Sequence, residues 1–446
     1  MDLLNKGISQ LTEMLSKGEI SSEELTRKYI EQIEEKDIKL KAYSEITKGL
    51  AIKKAREIDE KRKKGEKLGV LAGIPMAITD DISTKDILTT VGSKMLKNYI
   101  PPFNATVVER LLKEDAIILG KLKVEEFGTT TFNSTVAVGK NEAVFALGTD
   151  AGGSTREAAL YNGVLSMKPT YGMVSRYGAM GNTSTFDQIG PITKNTKDMA
   201  TILNIIVGYD KRDSTSIKKE KIDYTKALTK DIKGMKIGLL KEAVEENKEM
   251  AEEVIGQLRE LGAIVEEISI SSLEHVLPTY YIIACAEIAS NAAKYDGIRY
   301  GYRTKEYENM EELYKNTRSE GFGIELKKQI MFGNFVVSEK QYEEYYKKAQ
   351  RVRTLIKEEL NEIFKAYDLI ISPIILTKDE YKLEPYNLLA NISGLPAMAI
   401  PYNKDKKGNS RGLSLMAPAY REDNLLKISN IYEDINKEIN KVGGEA

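Results

Sequence analysis

Thr149-Asp150-Ala151-Gly152-Gly153-Ser154-Thr155-Arg156 is the stretch around which the rest of the chain is organised. Two glycines ahead of a small hydroxyl residue let the backbone turn tightly and aim successive N–H groups at one point, where an oxyanion could rest beside an attacking Ser154. The same residues also make an ordinary turn, so by themselves they leave both readings open. A serine nucleophile needs a base, and the remainder of the chain decides whether one is supplied.

The 446 residues suffice for one elaborate domain or for two to three ordinary ones. With 41% apolar and 30% charged residues and only 11 prolines, the composition is that of a soluble globular chain. No apolar run reaches bilayer-spanning length, and Met1-Asp2-Leu3-Leu4-Asn5-Lys6 lacks the basic then apolar order of a secretory signal, so a cytoplasmic protein without membrane contact is expected. The 66 basic and 67 acidic residues leave a net charge of −1, with no global field to recruit a polyanion. One cysteine, Cys285, excludes an internal disulfide and any Cys-based zinc site, and it reads as a small core residue. One histidine, His275, excludes His-rich metal sites; beside Val276-Leu277-Pro278 it reads as structural. A base for Ser154 is therefore expected among Lys, Asp and Glu.

In chain order, Ser21-Ser22-Glu23-Glu24 has capping-box spacing and opens a helix that puts Leu25, Tyr29, Ile30 and Ile33 on one face. A second amphipathic helix is expected from about Ile46 to Lys64. Val70 to Ile78 is a nearly continuous apolar run, predicting a strand buried on both faces that empties into Thr79-Asp80-Asp81. Thr106-Val107-Val108-Glu109 predicts another helix start and Ala116 to Gly120 another strand, and this alternation argues for an α/β layered sheet. Asp80 and Ser154 both fall just past strand ends, where such sheets place catalytic groups. Gly163 to Gly172 and Asp187 to Thr193 are dense in turn-formers, and Asp210 to Asp231 reads as a surface loop. Met235 to Leu240, a helix near Asn247 to Leu261, and Ile264 to Ile270 form one β-α-β unit. Helix then dominates from Tyr280 to Ala366, and strand character returns at Asp368 to Pro373 and Ala397 to Pro401.

Several motifs carry a resemblance. Gly73-Ile74-Pro75, the Asp150 to Arg156 turn, Lys168-Pro169-Thr170-Tyr171-Gly172 and Asp187-Gln188-Ile189-Gly190-Pro191-Ile192-Thr193 stand in the order of the amidase signature family. Tyr295 to Arg303, Thr317 to Gly323 and Gly394-Leu395-Pro396-Ala397 are similar to one branch, the A subunits of bacterial glutamyl-tRNA(Gln)/aspartyl-tRNA(Asn) amidotransferases. The resemblance implies an α/β fold with a central mixed twisted sheet flanked by helices. The division expected is an N-terminal helical segment over 1–66 and an amidase-like domain over 67–446, helix-rich at about 275–366.

The resemblance further implies a triad of Ser, a second Ser held by a cis peptide, and Lys, acting on the amide of glutamine to supply ammonia. Ser154 matches the nucleophile and Ala151, Gly152 and Gly153 its oxyanion turn. Arg318 matches the residue that holds the glutamine carboxylate, and Glu384 stands where an acid meets its ammonium. The implied partners are the B and C subunits of such an amidotransferase, with mischarged tRNA reached only through the complex. No cofactor is implied on this chain, ATP and Mg²⁺ belonging to the B subunit. Two departures stand out: Thr79 occupies the Lys position, and the glycine- and serine-rich loop that carries the bridging Ser is missing between Val138-Gly139-Lys140-Asn141 and Glu142-Ala143-Val144. Threonine has no ammonium whose pKa burial could lower, so it cannot serve as that base. The expectation is a protein of the A-subunit type with a degenerate glutaminase centre. The alternatives are an amidohydrolase in which Asp80 or Asp81 replaces the base, and a binding or scaffold protein that holds an amino acid through Arg318 without chemistry.

Overall fold

The short, fully buried strand Pro75–Thr79 (β2) lies between two parallel neighbours, Ile117–Leu122 (β3) and Phe145–Asp150 (β4). Sequences this apolar form strands only where both faces are covered, and every residue of β2 and β4 is buried. The computed structural model describes residues 3–128, 132–376, 385–404 and 408–443. Within them the strands join into one eleven-stranded mixed sheet, the architecture expected from the resemblance.

The remaining strands are β1 (Tyr43–Ile46), β5 (Leu165–Lys168), β6 (Gln188–Thr193), β7 (Lys236–Leu240), β8 (Ile264–Ile268), β9 (Leu369–Leu376), β10 (Ala397–Lys404) and β11 (Ser410–Met416). Their order is β1-β3-β2-β4-β6-β5-β10-β11-β9-β7-β8. β7, β8 and β9 run parallel, whereas the strands from β4 across to β9 are joined by antiparallel pairs. The β7–helix–β8 unit is the one expected, with the helix Lys248–Glu260 between its strands.

The first long helix, Ser22–Leu40, begins as its capping box predicts, Ser21 Oγ accepting from the Glu24 N–H at 3.0 Å. Leu25, Tyr29, Ile30 and Ile33 join a core shared with Phe145, Leu413 and Tyr432. Several boundaries differ from expectation: the second helix begins at Lys48, because Ile46 ends β1, and two further shifts have a direct cause. Val70 is 55% exposed and β2 begins only at Pro75, because the Leu71 and Gly73 N–H groups are bound by the carbonyls of Glu114 and Asp115 and Gly73 turns at φ +88°. Thr106 is the first helical residue rather than the cap; its hydroxyl donates instead to Asp210. The turn-rich stretches after Ser154 hold β5 and β6, and β6 accommodates Gly190 and Pro191 because the sheet pairs it on both sides.

Candidate active site

β4 ends at Asp150, the chain turns through Ala151-Gly152-Gly153, and a helix runs from Ser154 to Asn162. Gly153 adopts φ +92°, and a Cβ there would stand 2.9 Å from Asn387 Cβ, so both conformation and space call for glycine. A buried ion pair locks the turn. Arg156 Nε donates to Asp150 Oδ2 at 2.8 Å, Arg156 Nη2 donates to Asn391 Oδ1 at 2.6 Å, and Asn391 Nδ2 donates to Asp150 Oδ1 at 2.9 Å. Burial pushes the Asp150 carboxyl up, but the Arg156 guanidinium and the Asn391 amide outweigh it and hold the pKa below the ordinary value. Thr155 Oγ1 donates to Thr149 O at 2.6 Å, tying the helix start back to the strand.

Ser154 therefore sits in the first turn of a helix and lines a cavity of about 290 Å³ with Ala151, Gly152, Asn182, Asp187, Tyr280 and Gln329. Its hydroxyl makes no hydrogen bond among the described residues. Gly153 N–H donates to Asp150 Oδ1 at 2.9 Å and is occupied inside the turn. The N–H groups of Ala151 and Gly152 make no bond among the described residues and are the ones free to face a ligand oxygen.

Thr79 closes β2, fully buried, its hydroxyl without a partner among the described residues. Asp80 turns aside: its carboxylate accepts from the Thr90 N–H at 3.1 Å and from the Thr90 hydroxyl, and burial pushes its pKa up despite those bonds. Asp81 turns toward β4, the strand that leads to the Ser154 turn. One oxygen accepts from Thr149 Oγ1, the other has no partner among the described residues, and the carboxylate packs behind Gly128, which lines the Ser154 cavity. Arg318 donates to the carbonyls of Ala292 and Tyr295 at 2.8 and 3.3 Å, stacks on Phe322, and is not in the cavity wall. Glu384 lies outside the described residues. His275 is a surface residue beside Glu274.

The sequence reading missed four residues. Asp187, quoted only as part of a motif, is a wall of the Ser154 cavity, and burial raises its pKa to about 7 against the opposing hydrogen bonds from Thr183. Lys121 is buried on β3 opposite Ile78, one position before Thr79, with its amine donating to Ile82 O and Thr84 Oγ1; burial lowers its pKa to about 8. A lysine inside the apolar run Ile117 to Leu122 was the available signal. Asn182 Nδ2 and Gln329 Oε1 are buried without partners among the described residues and belong to the same cavity wall. Neither Lys121 nor Lys168, which is also buried, lines that cavity.

Sheet, turn and cavity define the class first: an α/β protein that presents a serine in the first turn of a helix just past a buried strand. The model of the Amidase family matches residues 24–139 and 133–426, and the chain belongs to that family. It is 45% identical to the A subunit of the glutamyl-tRNA(Gln) amidotransferase of Thermoanaerobacter pseudethanolicus, covering 98% of both chains. Against the protein of that description from Staphylococcus haemolyticus it is 40% identical over 97% of this chain and 98% of the other. The crystal structure of the glutamyl-tRNA(Gln) amidotransferase A subunit from Thermotoga maritima superposes with a TM-score of 0.76 at 30% identity, covering 96% of this chain and 94% of that one. A peptide amidase from Stenotrophomonas maltophilia shares the fold, with a TM-score of 0.82 at 24% identity over 97% of each chain. The alignment to the Thermoanaerobacter protein spans 478 positions against a chain of 446 residues, so that relative carries segments absent here.

Proposed function

We propose that this chain is the A-type component of a tRNA-dependent amidotransferase, assembled with the B and C subunits, in which the serine centre has lost its proton-accepting base. The observation that carries the reading is the match over nearly the whole chain to proteins described as A subunits of glutamyl-tRNA(Gln) amidotransferases; beside it stands Thr79, where the motif resemblance implies the triad's lysine. In such a complex glutamine would supply the amide nitrogen, and ATP and Mg²⁺ would act at the B subunit. What the site retains is the positioning part of the chemistry. Ser154 lies beside two free backbone N–H groups that can hold a developing oxyanion, with an ion pair that fixes the turn. What it lacks on this reading is the lysine amine that takes the Ser154 proton as the bond to carbon forms; members of a triad act as a unit, so losing one removes most of the rate.

The decisive measurement is ammonia release from glutamine by the chain alone and with the B and C subunits, set against a Ser154→Ala version. Equal rates support the reading, and a clear Ser154-dependent rate sinks it. A second reading, an active hydrolase with a substitute base, draws support from Asp187, whose pKa of about 7 suits a general base in the same cavity. Covalent labelling of Ser154 by a fluorophosphonate, abolished by Asp187→Asn, would establish it; no labelling removes it.

A further inference from the structure

A second cavity, of about 710 Å³, opens between the Met95–Tyr99 segment and the Lys294–Lys305 loop, within the size range of small-ligand sites. Tyr99, Tyr295 and Tyr300 supply aromatic wall, and Lys97, Lys294, Arg303 and Lys305 surround it with positive charge. No carboxylate lines it among the described residues. Lys97, Lys294 and Lys305 form no ion pair among the described residues, and Arg303 donates only to the Tyr307 hydroxyl. The nearby acids are engaged elsewhere: Glu320 accepts from Tyr302 and Thr304, and Asp296 caps the N–H groups of Ile298 and Arg299.

The cavity is built rather than incidental. Gly301, at φ +91°, lets the loop approach so closely that a Cβ there would stand 3.2 Å from Met95 O, and the Tyr302 N–H donates to that carbonyl at 2.7 Å. Tyr295 is almost fully buried, edge-on to Tyr300 at 5.9 Å and beside Phe127 at 5.0 Å. Arg318 grips the Tyr295 and Ala292 carbonyls and so anchors the foot of the loop. Phe127, which packs on Tyr295, lines the Ser154 cavity, so one aromatic cluster lies between the two cavities.

We infer that this second cavity binds a free ribonucleoside monophosphate, its base against the tyrosine rings and its phosphate among Lys97, Lys294, Arg303 and Lys305. Lys97, Lys294 and Arg303 lie over the rings of Tyr302, Tyr295 and Tyr307, and none of the cations has a carboxylate partner among the described residues. Stacking on rings is tolerant of which base is offered, and cations without carboxylate partners around one mouth match a group that carries more than one negative charge. A simple carboxylate would leave the rings unused, and an uncharged aromatic would leave the cations unused. The inference is independent of whether Ser154 is active.

Calorimetry on the full chain with the four ribonucleoside monophosphates, adenosine and inorganic phosphate tests it. Expected is saturable binding of at least one nucleotide, about tenfold or more tighter than adenosine or phosphate alone. The exposed pair Lys97→Glu with Lys305→Glu weakens nucleotide binding by about tenfold or more, steeply with salt. Tyr300→Ala weakens the nucleotide and leaves phosphate binding unchanged, with the melting temperature of each variant as the folding check. No saturable heat from any nucleotide, nucleotide binding no tighter than phosphate, or binding indifferent to the double charge reversal would each overturn it. A short single-stranded RNA that binds about tenfold tighter than every mononucleotide and is displaced by them would overturn the free-nucleotide assignment.

Discussion

Ser154 owes its position to residues that do not line its cavity. Asp150 and Arg156 are 4% and 1% exposed, and each would be an uncompensated charge without the other. Arg156→Met is therefore expected to cost about 3–5 kcal/mol in urea unfolding, far more than loss of an exposed pair such as Lys17–Glu13. Gly153→Ala meets both an unfavourable φ and the Asn387 side chain, and should lower stability by about 1–3 kcal/mol while releasing the turn. Asp187 gives a pH signature. Its folded pKa, about 7, lies above the ordinary carboxyl value, so the folded state holds a proton that the unfolded chain has already released. Stability from this group is full below about pH 4 and is lost as pH rises through about 7. Asp187→Asn should flatten the melting-temperature profile over that window; an unchanged slope would show that another group sets it.

At the scale of elements, the cavity wall depends on how two helices meet. Gly333 in the helix Ile324–Val336 lies so close to the helix Leu273–Ala292 that an added Cβ would fall 2.0 Å from Cys285 O. That contact is with backbone, which cannot rotate aside, so Gly333→Ala must push the helices apart. A loss of about 1–3 kcal/mol is expected, together with faster amide exchange in the two helices, which carry Tyr280, Cys285 and Gln329 into the Ser154 cavity. Cys285, expected as a core residue, is buried, and burial raises its thiol pKa to about 11, so it should resist alkylation until the helices separate. Gly333→Ala is expected to speed its reaction with a maleimide, measured against the parent chain.

For the molecule as a whole, the sheet fixes what can fold separately. β10 and β11, from the end of the chain, pair with β5 and β9 from earlier in it, and the helix Glu422–Gly443 packs on the segment Tyr224–Ala227 and on β10. Removing residues beyond Ser393 should therefore leave β5 and β9 with open edges and abolish soluble expression, whereas the full chain co-expressed with the B and C subunits should co-purify with them. The sequence by itself determined the class of fold, the glycine turn and the serine it presents, because backbone freedom and apolar runs are local properties. It also determined that position 79 carries no amine, since no neighbour can give a threonine one. Only the tertiary structure decided which groups share a cavity with Ser154. Asp81 and Asp80 are adjacent in the chain, yet one bonds to Thr149 beside the site and the other to Thr90 away from it. Asp187 and Gln329 come from distant elements to line the cavity of Ser154, and Arg318, grouped with it by motif, instead braces the aromatic cavity next door. The physical reason is that burial, pairing and charge balance depend on neighbours brought together through space, which linear spacing does not record.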